Sequence, residues 1–571
     1  MGVGLRSESF YREPGMWGFI HRSFTKAMGY DDHDLGKPLI GICNTYSELN
    51  KCHVHFRELA AAVKRGVWEA GGLPLEFPTV SLGEPFVQPT TMLYRNLQAI
   101  DTEEMLRAHP LDGVVLLGGC DKTIPAQLMA AASVDIPALQ VSGGPMLDGH
   151  SGAQVLGACT DCYRFTEAHA AGELDASRLA AAEDDICRSA GHCMVMGTAS
   201  TMAVLAEALG MMLPGTAAIP AVDSRRLRAC AASGRRIVGM VQEDLRPSCI
   251  LTEDAFENAI RVLMALGGST NAVIHLIAIA GRLGIPLPLQ LFDTLSRSTP
   301  WIANLRPSGV HQMEAFYYAG GSEALVGTLL PLLHGGAGTC TGRTLAENYA
   351  GARVRMDGVI APLERPLAAE GGIAILKGNL CPQGAVIKQT AASPTLLCHR
   401  GRARVLAAPD ACPEDVVPGD ILVLAGWGPV GGPGMPEVGQ VRMPPALVRR
   451  GVRDMVRISD ARLSGTSYGT LVAHVAPEAA VGGPLGLVRE GDEILLDVGA
   501  RRLELLVGER ELARRAAGST GPRPVAGRGY VGLYRRHVLQ ADQGCDFDFL
   551  LPEAAEGRPG PPSRQAREDG A

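Results

Sequence analysis

The sequence predicts an α/β fold in which a parallel sheet with flanking helices is followed by a β-rich, barrel-like domain. In the first two-thirds of the chain, short apolar runs alternate with segments whose apolar residues recur at helical spacing, which is typical of strands joined by crossover helices. After about residue 360 the apolar runs are short and separated by Gly, Pro and Asp, which favours strands joined by turns.

The elements of the first region follow in order. Residues 38–43 and 113–117 are apolar runs of strand length, and we expect both to be buried strands. Residues 57–70 have the apolar spacing of an amphipathic helix. A second helix is expected from about Pro125, because proline is tolerated in a first helical turn. A third is expected over 198–209, with Thr198 or Ser200 as its cap.

The second region is predicted to be a separate β-rich domain over residues 361–571, after an α/β domain over 1–360. Its expected strands lie at residues 372–376, 420–424, 455–458, 493–498 and 503–507. The last two flank a short turn and predict a hairpin. The tail after about residue 551 is polar and rich in Pro and Gly, which predicts disorder.

Composition excludes several classes of protein. The chain has 571 residues, a net charge of −7 and a hydrophobic fraction of 46%, so it can bury a large core. The mild acidity argues against a nucleic-acid-binding protein, and no apolar run approaches the roughly 20 residues that span a bilayer. The first residues lack an apolar signal core, and 14 cysteines are too sparse for a secreted disulfide scaffold. We expect a soluble, cytoplasmic protein.

Three cysteines lie in polar or Gly-rich loops. Cys52 lies in NKCH, Cys120 in GGCDK after the second predicted strand, and Cys193 in GHCM before a predicted helix. They are too far apart in sequence for a local zinc knuckle. They are either separate buried thiols or thiolate ligands gathered at the ligand-binding edge of a parallel sheet. Three thiolates would leave one iron of a cluster without a full protein ligand set, and that iron could act as a Lewis acid.

A second group of candidates consists of carboxylates on separate loops. Glu84 lies in SLGEP, Asp121 directly follows Cys120, and Glu437 lies in GGPGMPE. Such carboxylates suit Mg²⁺, although acidic residues are most often solvated surface groups. Asp121 is the exception, because its adjacency to Cys120 would place a cation beside a cluster. Lys122 could be its counter-charge.

Other motifs are less specific. Ser464, in SDARLSGT, could be a nucleophile or base, although a turn-forming serine is the simpler interpretation. His474 is either its partner or a packed histidine. Cys162 forms a CxxC pair with Cys159, which is weak evidence for zinc without a second pair. The stretch at 267–271 (GGSTN) could cap a helix or hold an anion. No GxxxxGK[ST] motif is present.

Several long segments, in the same order, resemble the dihydroxy-acid dehydratase/6-phosphogluconate dehydratase family over about residues 5–550. They are residues 41–48 (GICNTYSE), 118–122 (GGCDK), 197–202 (GTASTM), 267–272 (GGSTNA), 432–439 (GPGMPEVG) and 459–465 (SDARLSG). The closer similarity is to the sugar-acid branch, the L-arabinonate and D-xylonate dehydratases. It lies in residues 64–77, 81–84 and 455–467.

The resemblance implies a role for each candidate. By this resemblance, a 2Fe–2S cluster would be held by Cys52, Cys120 and Cys193, and Mg²⁺ would be bound by Glu84, Asp121 and Glu437. Lys122 would be a carbamylated metal ligand, and Ser464 would be the catalytic base. The implied reaction removes the C2 proton and the 3-hydroxyl of a 2,3-dihydroxy acid to give a 2-keto-3-deoxy acid. The implied substrate is an aldonic acid, most closely a pentonate, and the implied assembly is a homodimer or homotetramer.

Two other functions stay open at this point. One is the dihydroxy-acid dehydratase of branched-chain amino-acid biosynthesis, which would have a smaller and more apolar pocket. The other is a non-catalytic iron–sulfur redox sensor, which would have no use for Mg²⁺ ligands or for a catalytic serine.

Overall fold

The structure of the protein is a computed structural model that describes residues 4–158, 160–170, 172–409, 411, 415–437, 441, 443–463, 466, 468–518 and 527–552. Cys159, Ser464 and the polar tail beyond residue 552 lie outside the described residues.

The strands are β1 (Leu39–Asn44), β2 (Leu73–Pro78), β3 (Gly113–Gly118), β4 (Ala138–Ser142), β5 (Gly149–Ser151), β6 (Gln154–Leu156), β7 (Ala374–Gly378), β8 (Cys381–Ile387), β9 (Cys398–Val405), β10 (Ile421–Leu424), β11 (Arg457–Ser459), β12 (Leu471–Ala476), β13 (Glu493–Asp497) and β14 (Arg502–Leu505).

The helices are α1 (Arg6–Tyr11), α2 (Met16–Ala27), α3 (Phe56–Glu69), α4 (Met92–Ala108), α5 (Thr123–Val134), α6 (Thr160–Ala170), α7 (Ala176–Ile186), α8 (Thr198–Ala208), α9 (Ser224–Glu243), α10 (Pro247–Ile250), α11 (Glu253–Leu266), α12 (Asn271–Arg282), α13 (Leu289–Arg297), α14 (Met313–Tyr318), α15 (Gly321–Leu329), α16 (Leu345–Tyr349), α17 (Pro445–Arg449), α18 (Glu509–Ala517) and α19 (Gly529–His537). Among the helices described, none combines the length and the apolar character needed to cross a membrane.

A four-stranded parallel sheet forms the centre of the N-terminal region, in the order β2-β1-β3-β4. The predicted strands at 38–43 and 113–117 are confirmed as β1 and β3, both fully buried because helices cover the sheet. In their register Asn44 pairs with Leu117, so the carboxyl ends of the two central strands meet at one edge. The loops that follow β1 and β3 therefore start side by side.

Helices α3 and α9 cross closely because each carries a glycine at the contact. A Cβ on Gly66 would lie 1.9 Å from the carbonyl oxygen of Ala231, and one on Gly234 would lie 2.1 Å from that of Val63. Both helices also pack on the sheet, and α5 packs on β3 and β4. The apolar side chains of these elements form one continuous core with α8, α11 and α12. The loop that enters α3 is thereby fixed against a rigid layer.

The C-terminal region is a closed barrel of eight strands among the described residues, in the order β10-β11-β12-β8-β7-β14-β13-β9. Its pairings are mixed, with parallel strands around β10 and β11 and an antiparallel hairpin of β13 with β14. The predicted α/β fold with a barrel-like second region is confirmed, as is the hairpin. The barrel has an apolar core of its own, distinct from that of the N-terminal region.

The segment after α19 ties the two regions together through buried charges. Arg282, at the end of α12, pairs with Asp546 at 2.5 Å and with Glu103 of α4 at 2.8 Å. Both Arg282 and Asp546 have fully buried side chains. Arg95 of α4 donates to the carbonyl oxygens of Gly544 and Cys545 at 3.0 and 2.8 Å. The last described residues thus anchor on helices of the N-terminal region.

We expect Asp546→Ala to lower the free energy of unfolding by about 3 kcal/mol, at the low end for a broken buried ion pair, because Glu103 still faces Arg282. Equilibrium urea denaturation followed by circular dichroism measures this loss. Glu493→Gln, which removes an exposed pair with Arg400, is the control and should stay within error of the parent protein. Equal stability of the two variants would contradict the anchoring role.

Candidate active site

The three loop cysteines meet at the carboxyl edge of the sheet. Cys52 lies between β1 and α3, Cys120 between β3 and α5, and Cys193 between α7 and α8. The pKa of Cys52 is raised well above its ordinary value by a hydrogen bond with Cys120, by burial, and by the charges that Cys120 and Cys193 would carry as thiolates. Cys52 and Cys120 are buried and Cys193 is half-buried. The structure therefore gathers three thiols that sequence separates.

His53 joins two of these loops and was not identified from the sequence. Its Nε2 accepts hydrogen bonds from the backbone N–H groups of Gly119 and Cys120, each at 3.1 Å. Its Nδ1 lies 2.9 Å from the carbonyl oxygen of Thr45, which fixes the neutral tautomer with the proton on Nδ1. Burial lowers the pKa of His53 to about 3. The only sequence signal was its adjacency to Cys52.

The third cysteine loop is held against the first two by backbone hydrogen bonds. The N–H of Gly191 donates to the carbonyl oxygen of Lys51 at 3.4 Å, and that of His192 donates to Gly144 at 3.1 Å. Gly143, beside Gly144, donates in turn to Gly118 at the end of β3. The positions of the thiols are thus set by main-chain contacts between the loops.

The three candidate metal-binding carboxylates also converge. Glu84, Asp121 and Glu437 each place a carboxylate oxygen within 4.8 Å of the other two. Glu84 comes from the loop after β2, Asp121 from the loop after β3, and Glu437 from the loop after β10 of the barrel. Each keeps only 17–19% of its side chain exposed. Both regions of the chain therefore contribute to one acidic pocket.

Two buried cations face these carboxylates. Lys122 Nζ lies 3.4 Å from Glu84 and 3.5 Å from Asp121. Burial acts to raise the pKa of Glu84, but the charges of Lys122 and Arg462 outweigh it and hold that pKa below its ordinary value. Burial raises the pKa of Asp121 and of Glu437, and the charge of Glu84 adds to both shifts. The two cations only partly compensate three crowded carboxylates.

Arg462 is the second functional residue that sequence reasoning missed. Its fully buried guanidinium donates to Glu437 at 3.0 Å and to Thr90 Oγ1 at 2.8 Å, and lies 3.6 Å from Glu84. Thr90 in turn donates to Glu84 Oε1 at 3.0 Å. Arg462 therefore links the barrel to the loop that carries Glu84. An arginine next to apolar residues in the SDARLSG segment after β11 was the available signal.

Two buried carboxylates outside the pocket shape the loop that carries Glu437. Asp460 accepts hydrogen bonds from the N–H groups of Gly426 and Trp427 at 2.9 and 2.8 Å. Glu478 does the same for Val430 and Gly431, each at 2.8 Å. Both carboxylates accept their hydrogen bonds from backbone N–H groups of this segment. They therefore fix the conformation of a Gly-rich segment that has few side chains to do so.

Gly434 then brings that loop close to helix α4. A Cβ at this residue would lie 2.5 Å from the backbone nitrogen of Leu93, and its φ of +86° lies in the left-handed region. Only glycine meets both conditions without strain. Glu437 follows Gly434 by three residues, so this close approach helps to fix the position of Glu437.

The amino ends of two helices border the pocket. Helix α8 has Gly197 as its N-cap, so the prediction of a threonine or serine cap was wrong. Instead, Ser200 Oγ donates to the carbonyl oxygen of Val195 at 2.9 Å, and Thr198 Oγ1 lies 2.9 Å from Ser269 Oγ. Asn271, the first residue of α12, places its Nδ2 3.5 Å from Glu437 Oε1. The two hydroxyls expected to cap α8 are therefore bonded elsewhere.

The donor sets suit two kinds of metal. Three carboxylates within 4.8 Å of one another, with raised pKa values at two of them, favour a hard divalent cation such as Mg²⁺. Three converging thiols are the donors that an iron–sulfur cluster takes. Cys120 and Asp121 are consecutive, so the two sites adjoin.

The remaining candidates from the sequence are the serine, the CxxC pair and the histidine. Ser464 lies outside the described residues, as does Cys159 of the CxxC pair, while Cys162 lies in the first turn of α6. His474 lies on β12 in a left-handed conformation with φ 55°. Burial, followed by the charge of Arg462, lowers the pKa of His474 to about 3. It is a buried neutral histidine behind Arg462.

We expect Asp121→Asn to raise the thermal midpoint of the metal-free protein by about 2–4 °C, because it removes a carboxylate whose charged form is disfavoured by burial. The same change should abolish any rise in the midpoint on adding Mg²⁺. Differential scanning calorimetry in EDTA and then in excess Mg²⁺ measures both effects. Asp357→Asn, at an exposed position, is the control and should change neither. A lower metal-free midpoint for Asp121→Asn would contradict the argument.

Comparison with known proteins agrees with this architecture. Residues 37–348 match the N-terminal model of the dihydroxy-acid/6-phosphogluconate dehydratases, and residues 358–545 match the C-terminal model. The chain is 53% identical to the L-arabonate dehydratase of Azospirillum brasilense, over 96% of this chain and 97% of that protein. It is 50% identical to the L-arabinonate dehydratase of Rhizobium leguminosarum bv. trifolii, over 96% of both chains.

A third relative acts on a different sugar acid. The 6-deoxy-6-sulfo-D-gluconate dehydratase of Pseudomonas putida is 46% identical over 98% of both chains. These matches span nearly the whole chain, so they confirm the resemblance found in its motifs. This chain belongs to the dihydroxy-acid/6-phosphogluconate dehydratase family.

Proposed function

We propose that this protein is a hydro-lyase that converts an aldonic acid, a pentonate such as L-arabinonate or D-xylonate, to its 2-keto-3-deoxy acid. The observation that carries the proposal is the contact between a three-thiol site and a three-carboxylate site through consecutive residues, Cys120 and Asp121. Dehydration of a 2,3-dihydroxy acid needs both a stabilised charge at C2 and a polarised leaving group at C3. The sugar acids named for relatives at 46–53% identity support the substrate class.

Cys52, Cys120 and Cys193 would hold a 2Fe–2S cluster, and Glu84, Asp121 and Glu437 would hold Mg²⁺. When bound, these groups supply Lewis acidity at the 3-hydroxyl and at the carboxylate with its 2-hydroxyl. His53 keeps two cysteine loops in register, and Arg462 keeps Glu437 and Glu84 together.

Lys122 is proposed to be carbamylated, which would turn its amine into a carboxylate-like metal ligand. The support is its position, because a fully buried lysine lies within 3.5 Å of two of the three carboxylates. The carbamate would reverse its charge, so a divalent cation becomes the natural partner of the enlarged acidic set.

Ser464 is proposed as the base that takes the C2 proton. It follows Arg462 by two residues in the chain, and Arg462 contacts the metal-binding carboxylates directly. A serine acts as a base only when its alkoxide is stabilised by nearby positive charge. The division into domains 1–360 and 361–571, the cytoplasmic location and a homodimeric or homotetrameric assembly remain part of the proposal.

A substrate panel under anaerobic conditions tests the function. Protein reconstituted with iron, sulfide and Mg²⁺ is mixed with L-arabinonate, D-xylonate, 6-deoxy-6-sulfo-D-gluconate or 2,3-dihydroxyisovalerate, and 2-keto acids are detected. We expect kcat/KM for a pentonate to exceed that for 2,3-dihydroxyisovalerate at least about tenfold, or ~1.4 kcal/mol in transition-state binding. Turnover of 2,3-dihydroxyisovalerate alone would assign the branched-chain pathway instead. A brown protein without turnover would indicate a redox sensor.

We expect Ser464→Ala to reduce kcat by about 10²- to 10⁴-fold, the usual contribution of a positioned base, with little change in KM. The visible absorption spectrum should stay that of the parent protein, because the variant leaves all three cysteines in place. Steady-state kinetics and the spectrum of one preparation give both results. Ser467→Ala, three residues along the chain, is the control and should keep kcat within a few-fold. Retained activity of Ser464→Ala would exclude the serine as the base.

A further inference from the structure

Asn271 lies where the amino ends of two helices meet beside Glu437. Its Nδ2 donates to Thr198 Oγ1 at 3.0 Å and lies 3.5 Å from Glu437 Oε1. Asn271 is the first residue of α12 and Thr198 the first residue of α8. The backbone N–H of Asn271 is already bonded to Ser269 Oγ at 3.2 Å. The side-chain amide is therefore held only through its Nδ2 among the described contacts.

Within the described part of the chain, the oxygen of this amide has no hydrogen-bond partner. Asn271 is fully buried, yet among the residues that the structure describes no donor reaches its Oδ1. In the structure the NH₂ group faces both Thr198 Oγ1 and Glu437 Oε1, and an ionised Glu437 can only accept from it. Buried acceptors in folded proteins are almost always satisfied, so an unpaired oxygen at the edge of a ligand pocket indicates a donor on the ligand.

The helix beside Asn271 indicates which part of the ligand lies here. Helix α8 has 11 residues, no side-chain cap, and a first closing hydrogen bond from the N–H of Thr201 to Gly197. The N–H groups of its first turn and its dipole favour an anion at this end. A carboxylate placed there brings the hydroxyl on the adjacent carbon within reach of a neighbouring acceptor.

We propose that Asn271 binds the 2-hydroxyl of the substrate acid, with Oδ1 accepting the hydroxyl hydrogen while Nδ2 holds Thr198 and Glu437. This inference rests on the proposed function, since it assigns a subsite within the same pocket. It makes Asn271 a substrate-binding residue that selects 2-hydroxy acids over acids that lack the hydroxyl. A simple structural amide would show no such selection.

Two unreactive acids test the subsite by calorimetry on the reconstituted holoenzyme with Mg²⁺. The first is a 3-deoxypentonate, which keeps the 2-hydroxyl but lacks the leaving group, and the second is the matching 2,3-dideoxypentonate. The parent protein should bind the first at least about tenfold more tightly, because a tenfold difference in Kd is ~1.4 kcal/mol, about what leaving the buried Oδ1 unpaired costs. Asn271→Leu should bind both with Kd values within about threefold of each other. Asn271→Ala provides a second variant if the leucine side chain prevents folding.

Thr201→Val is the matched control. It removes a buried hydroxyl of α8 that accepts a hydrogen bond from the N–H of Ser269 at 3.1 Å and that has no part in the proposed subsite. This variant should keep the preference for the 2-hydroxy acid. Calorimetric titration of Mg²⁺ alone into each variant separates a hydroxyl subsite from a metal ligand, since Asn271→Leu should change Mg²⁺ affinity less than about threefold.

The outcomes are distinct. A preference for the 2-hydroxy acid that survives in Asn271→Leu overturns the subsite while pentonate turnover by the parent protein keeps the proposed function. A loss of Mg²⁺ affinity in Asn271→Leu also overturns it, by making the amide a metal ligand. A parent protein that binds neither acid and turns over no pentonate overturns both proposals.

Discussion

Crowding of like charges in a largely buried pocket is the constraint around which this molecule is organised. Glu84, Asp121 and Glu437 approach one another within 4.8 Å. In a medium of low dielectric such carboxylates repel strongly, and their charged forms are also poorly solvated. The buried Lys122 and Arg462 offset only part of this repulsion. Because repulsion between the carboxylates remains, packing elsewhere in the fold has to hold the three loops together.

The fold meets that requirement by drawing the ligands from both regions. Glu84 and Asp121 come from loops of the parallel sheet, whereas Glu437 and Arg462 come from the barrel. Neither half contains a complete site. The buried pairing of Arg282 with Asp546, and the bond from Arg462 to Thr90 across 372 residues, keep the halves in register. The contacts that hold the two regions together are thus also the contacts that assemble the site.

Much of this arrangement could be predicted from local sequence. Strands β1 and β3 are apolar runs, and Cys120 with Asp121 follows β3 directly, so their place at the sheet edge follows from the rule for parallel strands. Pairing between distant side chains left no local pattern, which is why the roles of Arg462 and His53 were missed. The cap of α8 was predicted wrongly because Thr198 bonds to Ser269, and no property of the helix sequence shows that contact. The carboxylate and cysteine roles came from family motifs, not from spacing.

One short loop contributes a residue to each of the two donor groups, the three thiols and the three carboxylates. Cys120, Asp121 and Lys122 are consecutive and lead directly into α5, for which Lys122 is the N-cap. The amino end of that 12-residue helix favours negative charge, whether thiolate or carboxylate. Cys120 belongs to the group of three thiols and Asp121 to the group of three carboxylates, so one turn contributes a soft sulfur donor and a hard oxygen donor. Inserting a residue between Cys120 and Asp121 would displace one donor relative to the other, so the proposed chemistry depends on their direct adjacency.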